Sequence, residues 1–237
     1  MCGNVRHARS AEVAASLMCA DFSKLQEQLD ELGESGVTRL HLDFADGAFV
    51  PSLILGVEVF ALLSVERDFV LESHLMIRDP VRFVDFFGRH SDVVIVHLEA
   101  VPDPPACLDR IRQVGARPGI ALHPETPPEA VEPLLSMVDQ VLIMAVEPGF
   151  AGGRFLPEMV AKVRQVRAMA VEAGVEVDIE VDGGINPATI PPLAAAGATV
   201  FVGGSSGLFT GGSLTTAAQR MLTTAEQAYA RTVGEVS

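Results

Sequence analysis

With 237 residues, 49% of them hydrophobic, the chain has ample material for a substantial core, which excludes a disordered polymer. Acidic residues outnumber basic ones 31 to 17, and the formal charge of −14 argues against nucleic acid as a partner while leaving one phosphate ester within reach of backbone amides. No apolar run approaches a membrane span, and Cys2, Cys19 and Cys107 follow neither disulfide nor zinc-ribbon spacing, so a soluble protein of a reducing cytoplasm, with no membrane partner, is expected.

The opening "MCGNVRHARS" lacks the apolar segment of a signal peptide, and residues 1–11 read as a short flexible leader. Apolar strand-like runs then alternate with helical ones. Strands are predicted at "EVAASLM" (12–18), "TRLHLDF" (38–44), "FVLESHLM" (69–76), "DVVIVHL" (92–98), "RPGIALH" (117–123), "QVLIMAV" (140–146), "EVDIEVD" (176–182) and "TVFVGG" (199–204). Between the first two, "DFSKLQEQLDELGESG" repeats Phe22, Leu25, Leu29 and Leu32 at helical intervals. Before the seventh, "LPEMVAKVRQVRAMAVEAG" reads as a helix closed by Gly174, as Gly36, Gly115 and Gly197 close others.

No linker divides the chain, so residues 1–237 are read as a single domain. Eight strand-helix units in this length match a (β/α)8 TIM barrel. A doubly wound open sheet usually has fewer strands and a glycine-rich turn after the first, where this chain has "CADF". A barrel places chemistry at the C-terminal ends of strands and in the loops beyond them.

Those ends carry the expected residue types. His41 and Asp43 share one face of the second strand, His74 ends the third, and Asp182 ends the seventh. Each alone has an ordinary reading: His74 as a hydrogen-bonded core histidine, Asp182 as the start of a turn, and Asp46 with Gly47 as a turn pair, the reading kept for Asp46. Together, four ligand-type residues at one end of three strands suit Zn²⁺, Fe²⁺, Mn²⁺ or Co²⁺. Glycine-rich loops follow: "VEPGFAGGRF" as a mobile cover, then Gly183-Gly184 and Gly203-Gly204-Ser205-Ser206, where bare amides cradle a phosphate in this fold.

The stretches "SLMCADF", "HLDFADGAFVP", "SHLMI", "VHLEA", "PETP", "VEPGFAGGRFLPEM", "IEVDGGIN" and "GGSSGLF" resemble the ribulose-phosphate 3-epimerase family over residues 13–209, with "SLMC", "PGFAG" and "GGSSGLF" nearer its allulose-6-phosphate 3-epimerase branch. The resemblance implies a TIM barrel of ribulose-phosphate-binding type and an isomerase acting on a small phosphorylated ketose. It implies one divalent ion, Zn²⁺ before Fe²⁺, Mn²⁺ or Co²⁺, on His41, Asp43, His74 and Asp182, with Asp43 and Asp182 as the catalytic acid/base pair. Ser16, His74, Gly149, Phe150, Ala151, Gly152, Gly183, Gly184, Gly204 and Ser205 would hold substrate. The expected reaction is D-ribulose 5-phosphate to D-xylulose 5-phosphate, with D-allulose 6-phosphate and D-fructose 6-phosphate as the alternative pair. A barrel that binds phosphate without catalysis is the competing class. A homo-oligomer is expected.

The chain departs from the family pattern at Ala45, Ser52, Ser73, His123, Ala145 and Gly153, which are expected to gather around the pocket and bear on specificity. His97 reads as packing or support for the site, and Met18, Met76 and Met144 as polarisable lining. Other phosphate-binding barrels, decarboxylases and synthases among them, use a pocket lysine; here Lys24 and Lys162, the two lysines, both read as surface helix positions.

Overall fold

The structure, a computed structural model, describes residues 10–63 and 69–234. Most of the expected leader, including Cys2, lies outside these. Among the described residues nine strands form: β1 Glu12–Ser16, β2 Arg39–Asp46, β3 Leu53–Ile54, β4 Val70–Met76, β5 Val93–His97, β6 Arg117–Leu122, β7 Gln140–Met144, β8 Asp178–Asp182 and β9 Val200–Gly203. All but β3 run parallel, each beside its successor, and pairing of β1 with β2 closes the ring into an eight-stranded barrel. The short β3 folds back antiparallel on the end of β2, an element not foreseen.

Among the described residues seven α-helices flank the strands: α1 Leu25–Glu34, α2 Val59–Leu63, α3 Val84–His90, α4 Pro104–Gln113, α5 Met159–Glu172, α6 Ile190–Ala196 and α7 Leu214–Gly234. Side chains alternate in and out along a strand, and the outward set, including Val94, Val96, Val141, Ile143, Ile179 and Val181, packs on helix faces such as Leu29, Leu32, Leu108, Ile111 and Val166. Gly36, Gly115, Gly174 and Gly197 all take the left-handed conformation that ends a helix. Among the described residues, no helix is long and apolar enough to cross a membrane.

Two local expectations change. Phe22 does not join the buried stripe of α1: Asp21 accepts from the N–H and hydroxyl of Ser23, forming a 3₁₀ turn at Phe22–Lys24 that leaves Phe22 46% exposed. Between β6 and β7 the chain forms a 3₁₀ helix, Pro128–Leu134, in place of an α-helix. Pro133 inside it lacks the N–H that an α-helical ladder requires.

Candidate active site

Register brings the polar side chains together. Asp43 of β2 pairs with His74 of β4, Ser16 of β1 with His41, and Met144 of β7 with Asp182 of β8. His41 and His74 are fully buried and Asp43 nearly so, while Asp182 is half-buried. His74 Nδ1 lies 3.0 Å from Asp43 Oδ1 and 3.3 Å from His41 Nε2, which is itself 3.2 Å from the same oxygen. One donor atom from each of the three, and one from Asp182, all lie within 4.8 Å of one another.

Lone pairs crowded this closely repel unless a proton or cation lies among them. Two imidazole nitrogens and two carboxylates form a donor set suited to Zn²⁺, Fe²⁺, Mn²⁺ or Co²⁺, so the residues fit a divalent ion. The environments of the two acids differ. Burial works to raise Asp43, but the charge of His41 and hydrogen bonds from both histidines outweigh it and hold this carboxyl well below the usual range. Burial, and then the neighbouring Asp43 charge, push Asp182 up to about 7. Burial likewise holds His74 down at about 4.

Both carboxylates line a cleft at the C-terminal end of the barrel. Ser16, Gly149, Phe150, Ala151, Gly152, Gly183, Gly184, Gly204 and Ser205 line it as well, and Met18, Met76 and Met144 form its apolar wall. His74 sits behind Asp43 instead. Ser16 Oγ donates to Asp43 Oδ2 at 2.9 Å, which steadies the carboxylate plane. Gly183 and Gly184 have φ of +113° and +65°, and a Cβ on either would strike backbone, at 2.8 Å from Val146 N and 3.0 Å from Phe155 N. Only glycine lets this loop approach so closely. Ser52 Oγ donates to the carbonyl of Gly149, tying the turn after β2 to the loop expected to cover the cleft. Asp46 accepts from the N–H groups of Ala48, Phe49 and Arg78, a turn residue.

Beside the four donors lies a polar layer that strand ends alone do not announce. His41 Nδ1 is 2.9 Å from Glu72 Oε1, and Arg39 donates to Glu72 at 2.8 Å, Gln140 at 3.0 Å and Glu12 at 2.9 Å. Gln140 donates in turn to Glu72 and Glu180. Glu180 Oε1 is buried without a hydrogen bond, 3.4 Å from His41 Nδ1. The signal was available: Arg39, Glu72 and Glu180 stand two residues before His41, His74 and Asp182, on the same inward faces.

Several departures from the family pattern do not gather at the cleft as expected. Gly153 lines it, but Ala45, Ser52, Ser73, His123 and Ala145 do not. Ser73 and Ala145 fall on the outward phase of their strands, where Ser73 bonds Ser91 and Ala145 joins the core under the helices. The surface reading of Lys162 is also corrected. It is 6% exposed, and its Nζ donates to the carbonyls of His123 and Pro124 at 2.9 and 2.6 Å. No lysine lines the cleft among the described residues.

Comparison with known proteins places the chain in a family. The chain is 38% identical over 217 residues to ribulose-phosphate 3-epimerase of Methanocaldococcus jannaschii, covering 92% of each chain. It is 40% identical over 209 residues to that of Rhodobacter capsulatus, covering 88% of this chain and 90% of the relative. The fold resembles that of 3-hexulose-6-phosphate synthase from Salmonella typhimurium, with TM-score 0.69, 17% identity, and coverage of 93% of this chain and 99% of that one. The family model described as "Ribulose-phosphate 3 epimerase family" matches residues 12–209, and the chain belongs to that family.

Proposed function

We propose that the protein interconverts D-ribulose 5-phosphate and D-xylulose 5-phosphate by moving a proton at carbon 3, with one divalent ion held by His41, Asp43, His74 and Asp182. The observation that carries this reading is the approach of two carboxylates to one cleft from different strands, Asp43 from β2 and Asp182 from β8, beside two buried imidazoles. Inversion at a carbon next to a carbonyl requires a base on one face and an acid on the other. A flat enediolate lying between Asp43 and Asp182 meets that need: one carboxylate takes the proton, and the opposite carboxyl returns one. Ser16, bonded to Asp43 Oδ2, orients this group for the transfer.

When bound, the divalent ion supplies Lewis acidity that offsets the developing negative charge. Zn²⁺ is the first choice for this set, ahead of Fe²⁺, Mn²⁺ and Co²⁺. Gly183, Gly184, Gly204 and Ser205, with Gly149 to Gly152, line the cleft, and backbone amides of such loops suit a phosphate. Gripping the phosphate contributes orientation and no chemistry. The relatives' names favour the pentulose over D-allulose 6-phosphate.

The test is incubation of metal-loaded protein with each of the two ketose phosphates in deuterium oxide. Deuterium should enter carbon 3 of the pentulose pair. Exchange only with D-allulose 6-phosphate would move the substrate assignment to the hexulose, and exchange with neither would overturn the reading.

A further inference from the structure

His97 ends β5, is fully buried, and engages both ring nitrogens. Its Nε2 lies 2.9 Å from His74 Nε2, and its Nδ1 lies 3.1 Å from Glu99 Oε2. Phe49 packs against the ring at a centroid distance of 4.8 Å. Glu99 is held in turn: its Oε1 accepts from the Thr126 hydroxyl and, at 3.0 Å, from the N–H of His123. The chain Glu99–His97–His74 therefore leads from a partly exposed carboxylate to the imidazole whose Nδ1 faces Asp43 and His41.

We propose that Glu99 and His97 are positioning residues that fix, through two consecutive hydrogen bonds, the one tautomer in which His74 offers the Nδ1 lone pair to the divalent ion. This inference rests on the metal centre proposed above. An ionised carboxylate accepts and cannot donate, so His97 carries its proton on Nδ1. A His97 ring that carries its one proton there has an acceptor at Nε2, and the proton between the two facing Nε2 atoms then belongs to His74. With Nε2 protonated, the His74 ring is neutral once the ion displaces any proton from Nδ1, the atom that lies 3.0 Å from Asp43 Oδ1 and 3.3 Å from His41 Nε2. Reversing either bond would place a proton on His74 Nδ1 and close that position to a metal.

Burial works to raise the Glu99 carboxyl, but the bonds from His97, Thr126 and the His123 N–H outweigh it and hold Glu99 at about 2, keeping the end of the chain an acceptor. His41 is fixed differently, by a direct contact from its Nδ1 to Glu72. The two proposed histidine ligands thus use opposite ring nitrogens, and each has its remote nitrogen engaged by the interior. Partners beyond the ligands typically change metal affinity by about 10- to 100-fold.

The first measurement uses the wild-type protein loaded with Zn²⁺. Long-range ¹H–¹⁵N spectra should show His97 protonated at Nδ1 and His74 at Nε2; a proton on His97 Nε2 would overturn the proposal. In the second, Glu99→Gln puts an amide that can donate where only an acceptor stood. Competition against a chelator should show Zn²⁺ bound about 10- to 100-fold more weakly. The His74 signals of the metal-free variant should move toward the Nδ1-protonated form. An unchanged tautomer together with affinity within about twofold of wild type would also overturn it. If the variant does not fold, the wild-type spectra decide alone. Should the wild-type protein bind no divalent ion, the metal centre itself fails, whereas wild-type binding with an indifferent Glu99→Gln variant sinks only the relay.

Discussion

On one side of the barrel interior, β2, β4 and β8 turn Arg39, His41, Glu72 and Glu180 inward, joined by Gln140 from the start of β7; on the other, β5, β6 and the rest of β7 present Val93, Ile95, Ala121 and Leu142. Both walls are buried, yet they are held by different means. An apolar side chain gains from leaving water whatever its neighbours' charge. Each polar group is tolerated only because its partners are in place: Arg39 satisfies Glu12 and Glu72, Gln140 reaches Glu72 and Glu180, and Glu72 engages His41. One wall therefore provides stability that is insensitive to detail, and the other holds a conditional arrangement aimed at the cleft.

The contrast is broken most severely at Asp182. Asp182→Asn removes one of the two proposed proton-transfer groups while preserving its shape, and turnover at saturating metal should fall by about 10²- to 10⁴-fold. Burial and the Asp43 charge both disfavour the ionised form of Asp182, so the neutral amide should leave the urea midpoint unchanged or higher. Steady-state assays beside urea titrations test both halves, and near-normal turnover would require a different acid.

Arg39→Met comes next. It leaves Glu12 and Glu72 buried or half-buried without their counter-charge, and loss of one partner from such an arrangement costs about 3–5 kcal/mol. Denaturant unfolding should show this in the midpoint with an unchanged slope. A loss below about 1 kcal/mol would mean that the polar wall relaxes freely, contrary to its description as interlocked.

The two walls were also unequally legible in the sequence. Runs such as "DVVIVHL" and "QVLIMAV" announce strands by composition alone, and the four donors stood out because a barrel directs attention to strand ends. Arg39, Glu72 and Glu180 are harder to read, because charged residues in a strand with alternating polarity ordinarily face solvent, and only closure of the ring turns that face inward. Lys162 misled for a related reason. Its partners, the carbonyls of His123 and Pro124, lie far away along the chain, and helical periodicity says nothing about them. The Pro128–Leu134 segment was legible after the fact, since Pro133 excludes an α-helical ladder there.

A smaller effect is expected from metal removal. Dialysis against a chelator should lower stability by about 2.7 kcal/mol relative to protein held with free ion at a hundred times its dissociation constant. Thermal melts with and without Zn²⁺ measure it. The loss should vanish in a His41→Ala, His74→Ala double variant, and a chelator effect that survives there would place the ion elsewhere.

The smallest expected effect gives the sharpest comparison, because it falls on the apolar wall immediately beside the site. Ile95 is fully buried among Val93, Ala121, Leu142 and Met144, and it stands in register with His74 on the neighbouring strand. Gly119 makes room for it: a Cβ there would come within 2.8 Å of Ile95 Cγ1. Ile95→Val removes a single methyl and should cost about 0.5–1.5 kcal/mol, read from the urea midpoint. Turnover and metal affinity should not change, since no hydrogen bond of His74 passes through Ile95. A fall in kcat or in metal affinity would show that His74 is positioned by packing from the apolar side as well as by its polar partners, and the two walls could no longer be assigned separate roles.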